Sequence, residues 1–200
     1  MIPAVTLYTN KLCPFAQRCA IAFEVARVDL KKVEVNLYGA SGFTKARLKS
    51  VEASHFSDPK GYVPVLEVGD ELVRESISIV DRAADLDDRL KPKDEEAAAT
   101  AIALCETLAR EGRALVQNGG SRAKVRDCLA TLDASLEASD YLAGPSLSTA
   151  DAILFPFLWR IDQTYGDLTG DFKHLSAYLQ RMTSLPSVKN TLTTSWWWWW

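Results

Sequence analysis

The order of strand-like and helix-like segments changes once along this chain, near Asp87. Before that point the two kinds of segment alternate, and after it apolar residues recur only at helical spacing. The strand-like segments are Val5–Tyr8, Lys32–Asn36, Val63–Val68 and Glu71–Val73, and the helix-like ones between them are Pro14–Val28, Thr44–Glu52 and Ser76–Leu86. This order predicts an α/β domain over residues 1–87 with a mixed sheet and a thioredoxin-like pattern, a charged linker at 88–93, and an all-helical domain over residues 94–192.

The helical half carries two further signals. Ser148, followed three residues later by Asp151, has the form of a capping box at the start of a helix. Pro156 lies inside that helix and is expected to bend it, and another helix is predicted over Lys173–Ser184. Residues 193–200 contain the run Trp196–Trp200 and are predicted to form a disordered tail; packing over the protein's own cleft or anchoring at a membrane interface are the alternatives.

Composition excludes several classes of function. The net charge of −3 gives no electrostatic basis for nucleic acid binding, and no run approaches the roughly 20 apolar residues of a membrane span. The four cysteines form no CxxC pair and the two histidines lie far apart, so neither a disulfide framework nor a metal site is expected. No signal peptide pattern is visible, so a cytoplasmic location is predicted; a removed organelle transit peptide is the alternative.

The turn LCPFAQR joins the first strand to the first helix and holds a single cysteine. Pro14 suits the first position of a helix, so Cys13 should lie at the helix N-terminus, where free amides and the helix dipole lower a thiol pKa. Ala16 occupies the position of a second thiol, and Cys19 is too far along the helix to reach Cys13. Cys13 is therefore predicted to be a nucleophile that an external thiol must release; a buried structural cysteine is the alternative.

Two other segments are expected to complete a binding site. In a thioredoxin-like fold Pro64 is a cis-proline, which leaves the backbone of Val63 free to pair with an extended peptide. Ser76 is a predicted helix N-cap whose hydroxyl and free amides suit a carboxylate, while Glu75 can accept from an ammonium group. Together they suit a short thiol peptide with a γ-glutamyl end; an edge-strand proline and a plain N-cap are the alternatives.

Three segments resemble the glutathione transferase superfamily: LYTNKLCPFAQR, GYVPVLEVGDELVRESISIV and LAGPSLSTADAILFPFLWRID. The resemblance spans residues 4 to 190, and CPFAQR is most similar to the cysteine-type omega and lambda classes; dehydroascorbate reductases and chloride intracellular channel proteins carry a similar motif. It implies the glutathione transferase fold, glutathione as co-substrate, no metal, and a structural role for the Ser148/Asp151 box. The implied catalytic residue is Cys13, and the implied glutathione-binding residues are Pro14, Phe15, Val63, Pro64, Glu75 and Ser76.

This chain departs from the family pattern in two places. The connection between Tyr38 and Gly61 is longer than in the omega pattern and lacks its tryptophan, so the base for the glycine carboxylate of glutathione is predicted to be Lys49, with Lys60 second. The C-terminus lacks a clear final helix. The second-substrate cleft is expected between the domains, with Arg113, Trp159 and Tyr165 as candidate lining residues. Tyr8 lies on the first strand and is interpreted as a packing residue.

The resemblance implies a glutathione-dependent thiol transferase or reductase. Its expected partners are glutathione and a small disulfide, a glutathionylated substrate or dehydroascorbate, with no nucleic acid and no membrane. The acceptor and the choice between monomer and homodimer stay open. A protein of another class is the alternative: a non-catalytic binding module that carries apolar ligands, docks on partners or associates with membranes.

Overall fold

The computed structural model describes residues 5–35, 63–118 and 120–193, with only the backbone of 116–118. The strands are β1 (Val5–Thr9), β2 (Lys31–Glu34), β3 (Val65–Val68) and β4 (Glu71–Val73). The helices are α1 (Pro14–Ala26), α2 (Ser76–Leu86), α3 (Glu95–Asn118), α4 (Arg122–Ser135), α5 (Thr149–Thr164), α6 (Gly166–Thr169), α7 (Lys173–Ser184) and α8 (Pro186–Lys189), with a 3-10 helix at Asp88–Leu90. The predicted helix over Thr44–Glu52 and the tail from 194 onward lie outside the described residues.

The four strands form one mixed sheet in the order β2-β1-β3-β4. β1 pairs with β2 in parallel, and β3 pairs antiparallel with both β1 and β4. The β3–β4 hairpin turns at Gly69, whose positive φ of 60° is a conformation that glycine adopts without steric cost. Because side chains alternate across a strand, Leu7 packs beneath the helices while Tyr8 joins Val65 on the opposite face. The predicted thioredoxin-like domain with a mixed sheet is confirmed.

The elements between Glu95 and Lys189 are all helices, as the periodicity predicts, and α7 has the predicted bounds. α5 is apolar on every side and nearly all of it is buried, so it forms the centre of the helical domain. It continues through Pro156 to Thr164. Within the described ranges, no helix combines the length and the apolar character that crossing a bilayer requires.

The two domains share one hydrophobic core. α1 packs against α2 on its own sheet and against α5 of the helical domain, while α8 packs on α1 from the C-terminal side. The predicted linker contributes to this core as well, because Leu90 of the 3-10 helix is fully buried. The N-terminus of α1 therefore lies where sheet, helical domain and C-terminal segment meet.

Candidate active site

A buried asparagine shapes the turn that carries Cys13. The Asn10 side chain donates to the carbonyl of Val35 at 2.8 Å and accepts from the amide of Leu12 at 2.8 Å. The carbonyl of Asn10 accepts from the amide of Cys13 at 3.0 Å. These three bonds tie the turn to the end of β2, so the position of Cys13 is fixed by the sheet before α1 begins.

Cys13 is the N-cap residue of α1, and Pro14 follows at the first helical position, as predicted. No side chain caps this helix end, and the amides of Phe15 and Ala16 interact with the Cys13 sulfur instead. Sγ lies 3.9 Å from the carbonyl oxygen of Val63, at contact distance for a weak S–H donor. The Val63–Pro64 bond is cis, as predicted. The structure thus brings Cys13 and the cis-proline together across 50 residues of sequence.

The expected lowering of the Cys13 pKa is wrong for this geometry. Burial raises the pKa of the Cys13 thiol, because a thiolate loses its hydration there. The amides of Ala16 and Phe15 and the charges of Arg160 and Arg18 lower it, but together they do not outweigh burial. The sequence predicts that Cys13 lies at a helix N-terminus, which lowers the pKa of a thiol. It does not predict how deeply the turn is buried, which raises that pKa.

The other three cysteines are buried. Cys19 is fully buried, and its Sγ lies 3.5 Å from the carbonyl oxygens of both Phe15 and Ser76. Cys105 and Cys128 are buried in the helical domain, and all four cysteines are free thiols. Burial raises the pKa of Cys105 to about 11. Cys13 is therefore the one partly exposed thiol of the chain.

Ser76 begins α2 but is not its N-cap, which corrects the sequence-based assignment. The N-cap is Glu75, whose φ of 61° is strained for a residue with a side chain. The Glu75 side chain does not cap the helix, so the first-turn amides of α2 are left for another acceptor. The hydroxyl of Ser76 accepts from Nη1 of Arg18 at 3.0 Å, which leaves its own proton free to be donated to a carboxylate.

Arg18 was missed by the sequence analysis. It is buried, its Nη2 lies 3.4 Å from the sulfur of Cys105, and its guanidinium stacks over the rings of Phe15 and Phe157 at 5.1 and 4.8 Å. Its charge lies directly behind Ser76, so it favours an anion at the N-terminus of α2. The signal was present in the sequence: apart from Glu24, Gln17 and Arg18 are the only polar side chains along an otherwise apolar α1.

Arg160 on α5 was also missed, although its neighbour Trp159 was named. It is 2% exposed and donates to three neutral oxygens. Nη2 reaches the carbonyl of Leu12 at 3.1 Å, and Nη1 reaches the side chain of Gln17 at 2.5 Å and the carbonyl of Pro156 at 2.8 Å. An arginine from the helical domain thus holds the turn that carries Cys13.

The remaining predicted residues lie on several elements of the chain. The Phe15 ring is 42% exposed and meets Phe157 edge-on at 5.2 Å. Arg113 is exposed on α3, whereas Trp159 and Tyr165 are half-buried with Arg160 and Arg122 over their rings. Their part in a second-substrate pocket stays a prediction. Lys49 and Lys60 lie outside the described residues.

The Tyr8 hydroxyl is bound by a carboxylate of the sheet. Its hydroxyl donates to the Glu67 carboxylate on β3 at 2.9 Å, and burial together with that carboxylate raises the pKa of Tyr8 to about 12. This engagement suits the packing role. Among the described residues, no group of three or more His, Cys, Asp or Glu side chains is placed to hold a metal ion.

Comparisons with known proteins identify the family of the chain. Two family models match the chain: the glutathione S-transferase N-terminal domain over residues 7–91 and the C-terminal domain over residues 95–181. Glutathione S-transferase 4 of Zea mays is 27% identical over 209 residues, covering 92% of this chain and 90% of the relative.

Solved structures show the same fold. Glutathione transferase Omega 2C of Trametes versicolor superposes with a TM-score of 0.80 at 24% identity, over 97% of this chain and 95% of that one. TDR1 of Leishmania, a trimeric glutathione transferase, superposes with a TM-score of 0.77 at 20% identity over 96% of this chain, which spans only 46% of that longer protein. With both domain models of one family matched in order, the chain belongs to the glutathione S-transferase superfamily.

Proposed function

We propose that this protein is a cysteine-type glutathione transferase that reduces disulfides and glutathionylated substrates through Cys13. The observation that carries the proposal is the placement of the sulfur: Cys13 caps α1, meets the amides of Phe15 and Ala16, and lies 3.9 Å from the Val63 carbonyl. A thiolate formed there faces hydrogen-bond donors, which stabilise it. The likeness to Omega transferases of Trametes versicolor supports the same reading at the level of the fold.

The reaction has two exchange steps that balance without any other reductant. The Cys13 thiolate attacks the glutathionyl sulfur of a mixed disulfide, a new S–S bond joins Cys13 to glutathione, and the substrate leaves as its thiolate. A second glutathione thiolate then attacks the same glutathionyl sulfur, which releases glutathione disulfide and restores the Cys13 thiolate. Because Cys19 is buried and turned toward carbonyl oxygens, an external thiol has to perform the second step.

Glutathione is proposed to lie along three groups that the fold brings together. Its γ-glutamyl carboxylate accepts from Ser76 and the first-turn amides of α2, with the Arg18 charge behind them. Glu75 lies at the same helix end and can accept from the ammonium group. The backbone of Val63 pairs with the peptide, and the glutathione sulfur then lies near Cys13. Lys49 and Lys60 remain the proposed partners of the glycine carboxylate.

The test is glutathione-dependent reduction of hydroxyethyl disulfide by the wild-type protein, Cys13→Ser and Cys128→Ser. The last is a matched control, because it makes the same change at a buried cysteine of α4. We expect wild type and Cys128→Ser to be active and Cys13→Ser to lose at least about 100-fold, as a lost nucleophile requires. Intact-mass measurement after exposure to glutathione disulfide should show one added glutathione in the wild type and none in Cys13→Ser.

One observation favours a second candidate, a binding module without thiol-transfer activity: burial raises the Cys13 pKa, which reduces the thiolate at neutral pH. Equal, background-level reduction by wild type and Cys13→Ser, with glutathione still bound, would establish that module and refute the first proposal. Conjugation of glutathione to an aryl halide should be weak in the wild type and in Cys128→Ser, since Cys13 forms a disulfide with glutathione rather than activating its thiolate.

A further inference from the structure

Arg160 is a buried charge whose partners are all neutral. Its three acceptors are the Leu12 carbonyl, the Pro156 carbonyl and the Gln17 side-chain oxygen. Within residues 5–35, 63–118 and 120–193, no carboxylate lies within 4.0 Å of its guanidinium. Burying a charge without an opposite charge beside it is costly, so Arg160 stabilises a negative group that forms next to it.

Arg160 binds one residue that precedes Cys13 in the sequence and one that follows it. Leu12 immediately precedes the cysteine, and the amide of Gln17 donates to the Cys13 carbonyl at 2.9 Å as the first bond of α1. Arg160 binds the first of these residues through Nη2 and the second through Nη1. The guanidinium therefore lies against the N-terminus of α1, on the side of the helical domain.

We propose that Arg160 is a positioning residue that fixes the Leu12–Cys13 turn against α5 and serves as the counter-charge of the Cys13 thiolate. The inference rests on the proposed function, because a counter-charge has an effect only when Cys13 reacts as a thiolate. When the thiol loses its proton to solvent, the buried guanidinium gains an anion, which none of its described hydrogen-bond partners supplies. The helical domain thereby takes part in the chemistry of the sheet domain.

Arg160 and Cys13 each shift the pKa of the other. Among the residues that the structure describes, the charges that act on Cys13 are Arg18 on its own helix and Arg160 on α5, and both lower the pKa of the thiol. Reciprocally, burial lowers the pKa of Arg160 to about 10, and the Cys13 thiolate raises it. Cys19 is the other titratable neighbour, and its burial keeps it a neutral thiol.

Arg18 and Arg160 act on different parts of the site. Arg18 binds Ser76 and packs against two phenylalanine rings, so it acts on the carboxylate end of the site. Arg160 is bonded to the turn that carries the nucleophile. A substitution at Arg160 should therefore change the thiol itself, whereas one at Arg18 should chiefly change the affinity for glutathione.

The test is the rate of Cys13 alkylation by iodoacetamide as a function of pH, followed by peptide mass spectrometry in the absence of glutathione. Arg160→Gln removes the charge and keeps a hydrogen-bond donor, Arg160→Lys keeps the charge, and Arg126→Gln changes an exposed arginine paired with Asp171. We expect Arg160→Gln to raise the Cys13 pKa by at least one unit, about the least that a nearby opposite charge contributes, and to slow alkylation about tenfold at pH 7. Arg160→Lys should recover most of that rate, and Arg126→Gln should match the wild type.

A folded Arg160→Gln protein with a wild-type pH profile would overturn the proposal. Gln17→Glu is a second test, in which Arg160 itself is unchanged. It places a carboxylate where the Gln17 side-chain oxygen lies, 2.5 Å from Nη1, and so neutralises the charge of the guanidinium. It too should raise the Cys13 pKa, and an unchanged profile would refute the counter-charge even if Arg160→Gln does not fold. Alkylation needs no glutathione, so failure of the proposed transferase activity is seen separately, in the disulfide reduction assay.

Discussion

Burial raises the pKa of the Cys13 thiol, whereas nearby amides and arginines lower it, and burial has the larger effect. Its pKa is raised, so the thiol form predominates at neutral pH and the thiolate grows as pH increases. We expect the alkylation rate of Cys13 to keep rising beyond pH 8.5, the ordinary pKa of a free cysteine, rather than level off below it.

The measurement is the alkylation profile of the wild-type protein, with Cys13→Ser to verify that the three buried cysteines stay unlabelled. A plateau below about pH 8.5 would contradict the expectation. The raised pKa also makes the stability of the fold depend on pH. A thiol whose pKa is higher in the folded state than in the unfolded state contributes stability below the unfolded-state pKa. This contribution is lost as pH rises through the folded-state pKa.

Residues differ in how far the sequence alone reveals them. Cys13, Pro14 and the cis-proline are local signals, readable from a strand-turn-helix pattern and one X-Pro pair. Arg18 shows only as a polar residue in an otherwise apolar helix, and Arg160 is not readable at all, because nothing in a single chain segment says that an arginine will be buried against another domain. Ser76 lies between these cases: its place at a helix start was predicted, but Arg18, which binds its hydroxyl, was not.

Among the elements, α5 depends most on its first turn. Asp151 is fully buried, and its carboxylate accepts from the amide of Leu142 at 3.0 Å and from the amide and hydroxyl of Ser148 at 2.8 and 2.9 Å. The capping box predicted from the sequence is therefore present, with a third bond from the preceding loop. The loop donor lies nine residues earlier, beyond the reach of a local motif.

We expect Asp151→Ala to reduce the free energy of unfolding by about 2–4 kcal/mol, since it removes a cap and leaves buried donors without acceptors. Urea unfolding followed by circular dichroism measures it. Asp127→Ala is the matched control, because Asp127 is exposed on α4 and its loss should cost less than about 0.5 kcal/mol. Equal midpoints for the two variants would show that the bonds of Asp151 do not stabilise α5.

At the scale of the whole molecule, the two domains form one packed body. The charged stretch around residues 88–93 looks like a flexible linker in the sequence, yet Leu90 within it is fully buried in the shared core. Composition identifies where the domains change, but it does not show that the connection itself is packed. A single buried leucine among charged residues is too weak a pattern to predict that.

This shared core predicts cooperative unfolding. Cys19 of α1 and Cys128 of α4 are buried in different domains, and we expect them to become reactive to a thiol label at the same urea concentration. Leu90→Ala should lower both midpoints together, by the equivalent of about 2–5 kcal/mol for a buried leucine. Earlier labelling of Cys19 than of Cys128 would show that the sheet domain unfolds by itself.

The bonds around Gln17 have a consequence for the growing chain. Its side chain binds Arg160 and donates to the carbonyl of Thr191, which is 174 residues further along. At about 5–20 residues per second, the ribosome needs roughly 9–35 s to supply that last partner. Until then Cys13 reacts as any unfolded cysteine does, so pulse labelling of this thiol on stalled nascent chains would time the docking of the helical domain.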